Sequence, residues 1–195
     1  QRDLTENGQF KDAPQIHLNE SKENVIEQVV NNVTFNMNLD RKMTALKQLQ
    51  GHIWLNAYQS GEVRGEVYDD VLPVLQKWKG QGKQIFIYSS GSVAAQKLLF
   101  RYSNQKLNES YDLTPLLSGH FDTQHPGSKV EANSYTVIAN DIHYQPSDIL
   151  FVTDNINEAV AAQKAGYHVV ISVRPETAPL PENHGFKEVT CFAQI

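Results

Sequence analysis

Three short apolar runs, each set between helix-like segments, constrain this chain more than any other feature. They are Ile85-Phe86-Ile87-Tyr88, Ile149-Leu150-Phe151-Val152 and Tyr167-His168-Val169-Val170-Ile171-Ser172-Val173. Runs of this length suit strands, and strands lacking polar alternation must be covered on both faces. The intervening segments carry helical spacing. Val71-Leu72-Pro73-Val74-Leu75 with Trp78 follows Asp69-Asp70, has Pro73 in its first turn and stops at Gly80 and Gly82. Val93–Phe100, Glu131–Asn140 and Asn157–Ala165 (closed by Gly166) are the other helices, and Pro175 ends the third strand. Repeated strand–helix units predict an α/β fold, a doubly wound, Rossmann-like parallel sheet with helices on both faces. Leu116–Phe121 and the region near Val189 read as further short strands, and 103–115 as loop.

The segment before this core has a different texture. Residues 1–21 are poor in apolar side chains, contain Gly8 and Pro14, and read as a loose arm. Ile26, Val29, Val30, Val33 and Met37 then recur at helical spacing, with Ser21 as a cap, and a second run carries Leu39, Met43, Leu46, Leu49, Ile53, Trp54 and Ala57. Residues 22–65 are therefore expected to form a helical hairpin or small bundle, and 66–195 the α/β core.

Composition narrows the function classes. At 195 residues, 40% hydrophobic and 20% charged, the chain can bury a core and is neither collagen-like nor a disordered tail. With 17 Lys+Arg against 22 Asp+Glu, a net charge of -5 and no basic stripe, a nucleic-acid partner is not expected. The apolar runs are too short for a membrane helix, and no signal segment opens the chain. A single cysteine, Cys191, cannot form an internal disulfide, which suits a reducing compartment such as the cytosol.

In parallel α/β sheets, ligands bind beyond the carboxyl ends of the strands. The first run is followed by Ser89-Ser90-Gly91-Ser92 opening a helix, where hydroxyls and backbone N–H groups can hold an anion. The plainer reading is that Ser92 only caps that helix. Thr153-Asp154 follows the second run, with Glu158 one turn on, a pattern able to hold Mg²⁺ or orient its waters. The plainer reading is an Asp capping the next helix. Between them, Gly127-Ser128-Lys129-Val130-Glu131 leads into a helix, and Lys129 could pair a phosphate, although most such lysines are simply solvated. The scattered histidines have no zinc-ligand spacing; His52, Lys42 and Lys47 read as surface, Cys191 as structural, and Arg174 as a weak substrate candidate.

The order Ser-Ser, then Lys, then Asp-x-x-x-Glu resembles the later motifs of the haloacid dehalogenase (HAD) superfamily of Mg²⁺-dependent phosphotransferases. Asp40–His52, Ile87–Phe100, Gly119–Thr123 and Ile149–Ala159 resemble its enolase-phosphatase E1, or acireductone synthase, family. The resemblance covers roughly residues 22–175. It implies a methionine-salvage enzyme that enolises and then dephosphorylates 2,3-diketo-5-methylthiopentyl-1-phosphate, using one Mg²⁺ per subunit. It implies a soluble, typically monomeric protein of the cytoplasm, with the nucleus a second location. Ser89 and Ser90 would hold the phosphate, Lys129 would stabilise the transferring group, Asp154 would ligate the metal with Glu158 behind it, and the helical segment 22–65 would act as a cap.

The family's first motif, Asp-x-Glu-x-Thr, supplies the nucleophile at the end of a central strand. The nearest match is Gln1-Arg2-Asp3-Leu4-Thr5, with Gln in the nucleophile position and no apolar run before it, so Asp3 is given no role. The chain therefore reads as an N-terminally incomplete enzyme lacking its first core strand, with unpaired strand edges and an apolar gap expected in the sheet. The alternative is a truncated, inactive phosphate-binding module. A response-regulator-like receiver is disfavoured by the long helical insert and by the Lys preceding the Asp strand.

Overall fold

The structure, a computed structural model, describes residues 13–39, 41 and 43–195. The expectations for the first part of the arm, for Asp3, for Asp40 and Lys42, and for the side chain of Lys47 lie outside the described residues. The chain forms two compact units, Gln1–Asn56 and Ala57–Ile195.

The first unit holds α1 (Lys22–Asn38) and most of α2 (Thr44–Ser60). Ser21 caps α1, its hydroxyl accepting from the Asn24 N–H at 3.3 Å. Asn36 is buried, and its amide donates to the Asn32 carbonyl at 2.7 Å while accepting from Arg41 at 3.0 Å. Leu46 is buried, but Ile26, Val30, Met37, Ile53 and Trp54, all expected on apolar faces, are exposed. Two helices of 17 residues each offer too little mutual surface to cover both stripes.

The second unit begins with the last turn of α2. Tyr58 stacks on Tyr102 at 5.8 Å, and Gly65 exchanges backbone bonds with Tyr102 and Asn104, each 2.8 Å, which ties residues 57–65 into this unit. Then come α3 (Val71–Gly80), β1 (Phe86–Ser89), α4 (Val93–Arg101), β2 (Gly119–Asp122), α5 (Ala132–Ile142), β3 (Leu150–Thr153), α6 (Ile156–Lys164), β4 (His168–Ser172) and β5 (Lys187–Val189). All pairings between these strands are parallel, as the buried runs predict. Gly119 lies opposite Phe86, and a Cβ there would stand 2.9 Å from the Phe86 ring, so only glycine fits this register.

The sheet is in two pieces. β1 pairs with β2, and β3 with β4 and then β5, with no ladder between β1 and β3. Each of these two strands therefore keeps an unpaired edge among the described residues. Tyr135, fully buried on α5, touches both sides: its ring is 5.6 Å from Tyr88 of β1 and 5.0 Å from Phe151 of β3. The two outer rings are thus at most ~11 Å apart, so Tyr135 links the two pieces of the sheet. β1 is only half-buried rather than enclosed, because that edge lacks a neighbour.

Two apolar clusters support the strands. One gathers Leu72, Leu75, Ile85 and Leu113, the last from the segment read as loop, and the other Tyr135, Ala139, Ala162 and Tyr167. Together they hold the carboxyl ends of β1 and β3 and the loop before α5 in one fixed arrangement.

Candidate active site

The loop after β1 carries Ser89, half-buried, and Ser90, Gly91 and Ser92, all exposed. Ser89 Oγ accepts from the Gly91 N–H at 3.1 Å, and Ser92 caps α4 by accepting from Ala95 at 3.3 Å. The capping reading of Ser92 holds, and it leaves Ser90 outward-facing. Two side chains fix this loop from beneath. Gln96, buried on α4, donates through Nε2 to the Gly91 carbonyl at 2.9 Å and to the Phe121 carbonyl of β2 at 2.8 Å. Its Oε1 faces His120 Nδ1 at 3.0 Å. Because both Gln96 donors are committed to carbonyls, Oε1 must accept, which places a proton on His120 Nδ1. Burial, and then the charge of Lys97, lowers the His120 pKa.

The second fixing group is Asp122 at the end of β2. Its carboxylate accepts from Val93 N–H at 3.0 Å and Gln124 N–H at 2.9 Å. Burial would raise its pKa, but these backbone donors outweigh that and the net shift is downward. A negative side chain at the start of α4 also complements the helix dipole.

The loop before α5 carries Lys129. Its Nζ is 2.7 Å from Glu158 Oε2, with the two side chains 19% and 13% exposed. The same Glu158 oxygen accepts from Thr153 Oγ at 2.7 Å. The ammonium also lies 5.8 Å over the Tyr88 ring and 6.0 Å over the Phe151 ring, in cation–π range of β1 and β3 together. Lys129 is not a solvated lysine; it sits between the ends of the two strands.

Asp154 follows β3 and is exposed, and among the described residues nothing hydrogen-bonds it. It is not the helix cap: Asn155 caps α6, accepting from Asn157 at 2.9 Å. Glu158 faces Lys129 and Thr153, so the two acids that the sequence pairs have different surroundings. No group of three or more His, Cys, Asp or Glu residues able to hold a metal occurs among the described residues.

Arg174 has a different place from the one its position after a strand suggested. It makes two bonds to Asp70, 3.0 and 2.8 Å, donates to the Thr190 carbonyl at 3.0 Å, and lies over the Tyr68 and Phe192 rings at 4.5 and 5.4 Å. These contacts make the guanidinium a clasp that joins Asp70 to the chain end. Sequence reading missed Gln96 and the tyrosines. A buried glutamine in an apolar helix was the available signal for the first; nothing local marked the others.

Parallel strands whose carboxyl ends present hydroxyls, a lysine and a carboxylate have the layout of an α/β phosphotransferase. The model of the haloacid dehalogenase-like hydrolase family matches residues 5–166. The chain is 50% identical to the enolase-phosphatase E1 of Naegleria gruberi over 195 residues, all of this chain and 73% of that protein. It is 53% identical over 175 residues to a Populus trichocarpa protein described as a probable bifunctional methylthioribulose-1-phosphate dehydratase/enolase-phosphatase E1, covering 89% of this chain but only 33% of that one. The crystal structure of the UTR4 protein of Saccharomyces cerevisiae superposes with a TM-score of 0.76 at 34% identity, covering 86% of this chain and 75% of that one. The chain belongs to the haloacid dehalogenase-like hydrolases and, among them, to the enolase-phosphatase E1 family.

Phosphatases of this family generally use Mg²⁺. An exposed carboxylate without a hydrogen-bond partner among the described residues, at a strand's carboxyl end, fits such an ion, which binds through one or two carboxylates plus phosphate and water. Asp154 meets that description.

Proposed function

We propose that the chain serves in Mg²⁺-dependent enolisation and dephosphorylation of 2,3-diketo-5-methylthiopentyl-1-phosphate to the acireductone of methionine salvage. The observation that carries this reading is the position of Lys129, wedged between the ends of β1 and β3 and held by Glu158 at 2.7 Å. Ser89 and Ser90, with the backbone at the start of α4, bind the phosphate oxygens. Lys129 offsets the negative charge on the transferring phosphoryl group as the ester bond breaks. Asp154 is the residue of this chain that would hold the one Mg²⁺, whose charge further neutralises the phosphate. The nucleophilic Asp of the family's Asp-x-Glu-x-Thr motif is assigned to a strand beside the unpaired edges of β1 and β3, which would bring it out near all three groups. The substrate is a small phosphorylated diketone, and the protein acts as a cytoplasmic monomer without nucleic acid or membrane partners.

A second reading, a phosphate-binding module without turnover, rests on one observation. Of the carboxylates at the ends of β2 and β3, Asp122 is committed to backbone donors and Glu158 to Lys129. Only Asp154 is left, and it is the metal ligand in the first reading.

Phosphate release from the diketone phosphate separates the two. In the full natural protein with Mg²⁺, release is expected, and Asp154→Asn should reduce it by about a thousandfold, because the ion that offsets the phosphoryl charge would lose its carboxylate ligand. Undiminished release by Asp154→Asn would remove Asp154 from the site. Saturable phosphate binding with no release by the unaltered protein would establish the binding module.

A further inference from the structure

We infer that Tyr88 and Tyr135 are positioning residues for Lys129, gripping the backbone of its loop through two phenol hydroxyls. The inference rests on the reading of Lys129 as the phosphoryl-charge partner. Tyr88 Oη donates to the Gly127 carbonyl at 2.8 Å, and Tyr135 Oη donates to the Lys129 carbonyl at 2.6 Å. Both ends of the three-residue stretch 127–129 are thereby pinned. Gly127, at φ +135°, adopts a backbone that other residues rarely reach, so the carbonyl directions here are set by the loop's own shape as well.

A lysine needs such help. Its ammonium is a point charge on a flexible four-carbon stem, and the stabilisation it gives depends on where the stem begins. The tyrosines are themselves immobilised. Tyr135 meets Tyr88, Phe151 and Tyr167 edge-on, at 5.6, 5.0 and 5.6 Å, and Tyr167 Oη donates to the Tyr135 carbonyl at 2.7 Å. Burial raises the pKa of Tyr88 and of Tyr135, so both remain protonated donors at neutral pH.

Tyr88 does more than hold a carbonyl. It immediately precedes Ser89, and its ring underlies the Lys129 ammonium. One side chain thus fixes the spacing between the hydroxyl end of β1 and the cation. Tyr135 is fully buried, so it acts on the reaction only through the loop it holds.

The test is a pair of double-mutant cycles on the full natural enzyme, following phosphate release from the diketone phosphate. Tyr88→Phe and Tyr135→Phe keep the rings and remove only the hydroxyls. Each is expected to lower kcat about tenfold with KM changed less than about twofold. In a Lys129→Ala background, itself about a thousandfold slower, neither substitution should lower kcat further, because the cation being positioned is gone. Equal losses with and without Lys129 would show a merely structural role and overturn the inference. So would wild-type kcat in both Phe variants. A normal rate in Lys129→Ala would instead overturn the reading of Lys129, and the inference with it. If Tyr135→Phe fails to accumulate, the Tyr88 cycle decides alone.

Discussion

The loop after β1 is held by a side-chain amide from α4 and a carboxylate from β2, whereas the loop before α5 is held by two phenols inside an aromatic cluster. The difference matches what each loop presents. The first offers hydroxyls and backbone groups to an anion, so Ser90, Gly91 and Ser92 stay exposed and only their undersides are fixed. The second offers one cation, so its stem is packed and its head paired, with little of Lys129 left to solvent. Polar anchors suit an open loop because they direct backbone groups without covering them. Aromatic anchors suit a loop whose one lysine is packed, because they add packing to the hydrogen bond.

The sharpest way to break this comparison is Gln96→Leu. It would leave the Gly91 and Phe121 carbonyls without a side-chain donor and His120 without its acceptor, at a cost of about 3 kcal/mol by urea denaturation. Because the serine loop is the one released, KM for the phosphorylated substrate should rise more than kcat falls. The opposite pattern would mean that Gln96 acts on the lysine side.

Asp70 supplies a control away from both loops. The Arg174 guanidinium hydrogen-bonded to it, helped by the Phe192 N–H, holds its pKa down at about 2 against the usual 3.8. A pKa lower in the folded state means stabilisation that is full above about pH 4 and lost as pH falls toward 2. That contribution is about 2 kcal/mol, so Asp70→Asn should flatten the acid limb of stability against pH while leaving kcat and KM unaltered. A kinetic change would return Arg174 to the substrate site.

The smallest expected effect is that of Asp122→Asn. Asparagine has one acceptor oxygen in place of two, so it can keep the Val93 or the Gln124 N–H but not both, and the charge at the start of α4 is lost as well, about 1 kcal/mol by the same denaturation measurement. A much larger loss would show that the carboxylate, rather than the amide of Gln96, is the main anchor of the serine loop.

Much of the fold was legible beforehand. The apolar runs became β1, β3 and β4, Ser21 and Ser92 cap their helices, and Gly166 ends α6 at its expected place. The four segments of the site, Ser89-Ser90, Lys129, Asp154 and Glu158, could be picked out from their places beside strands and helices. What could not be read was direction. The sequence pairs Asp154 and Glu158 around one metal, yet Glu158 is half-buried against a lysine and Asp154 is open to solvent. Arg174 looked like a residue at a site mouth and is instead a clasp. The apolar stripes of α1 and α2 were correctly placed on helices, but their burial was not determined by periodicity.

The sequence by itself determined where strands and helices run and which loops stand at the strand ends, because side-chain periodicity and capping act over a few residues. The tertiary structure alone decided the pairing of Lys129 with Glu158, the amide under the serine loop and the tyrosines under the lysine loop. Some of those partners are distant in the chain, 39 positions for Tyr88 and Gly127 and 25 for Gln96 and Phe121, and the nearer ones, Gln96 with Gly91 and Tyr135 with Lys129, join a helix to the loop before it. Such contacts depend on how whole elements pack, and no local pattern records them.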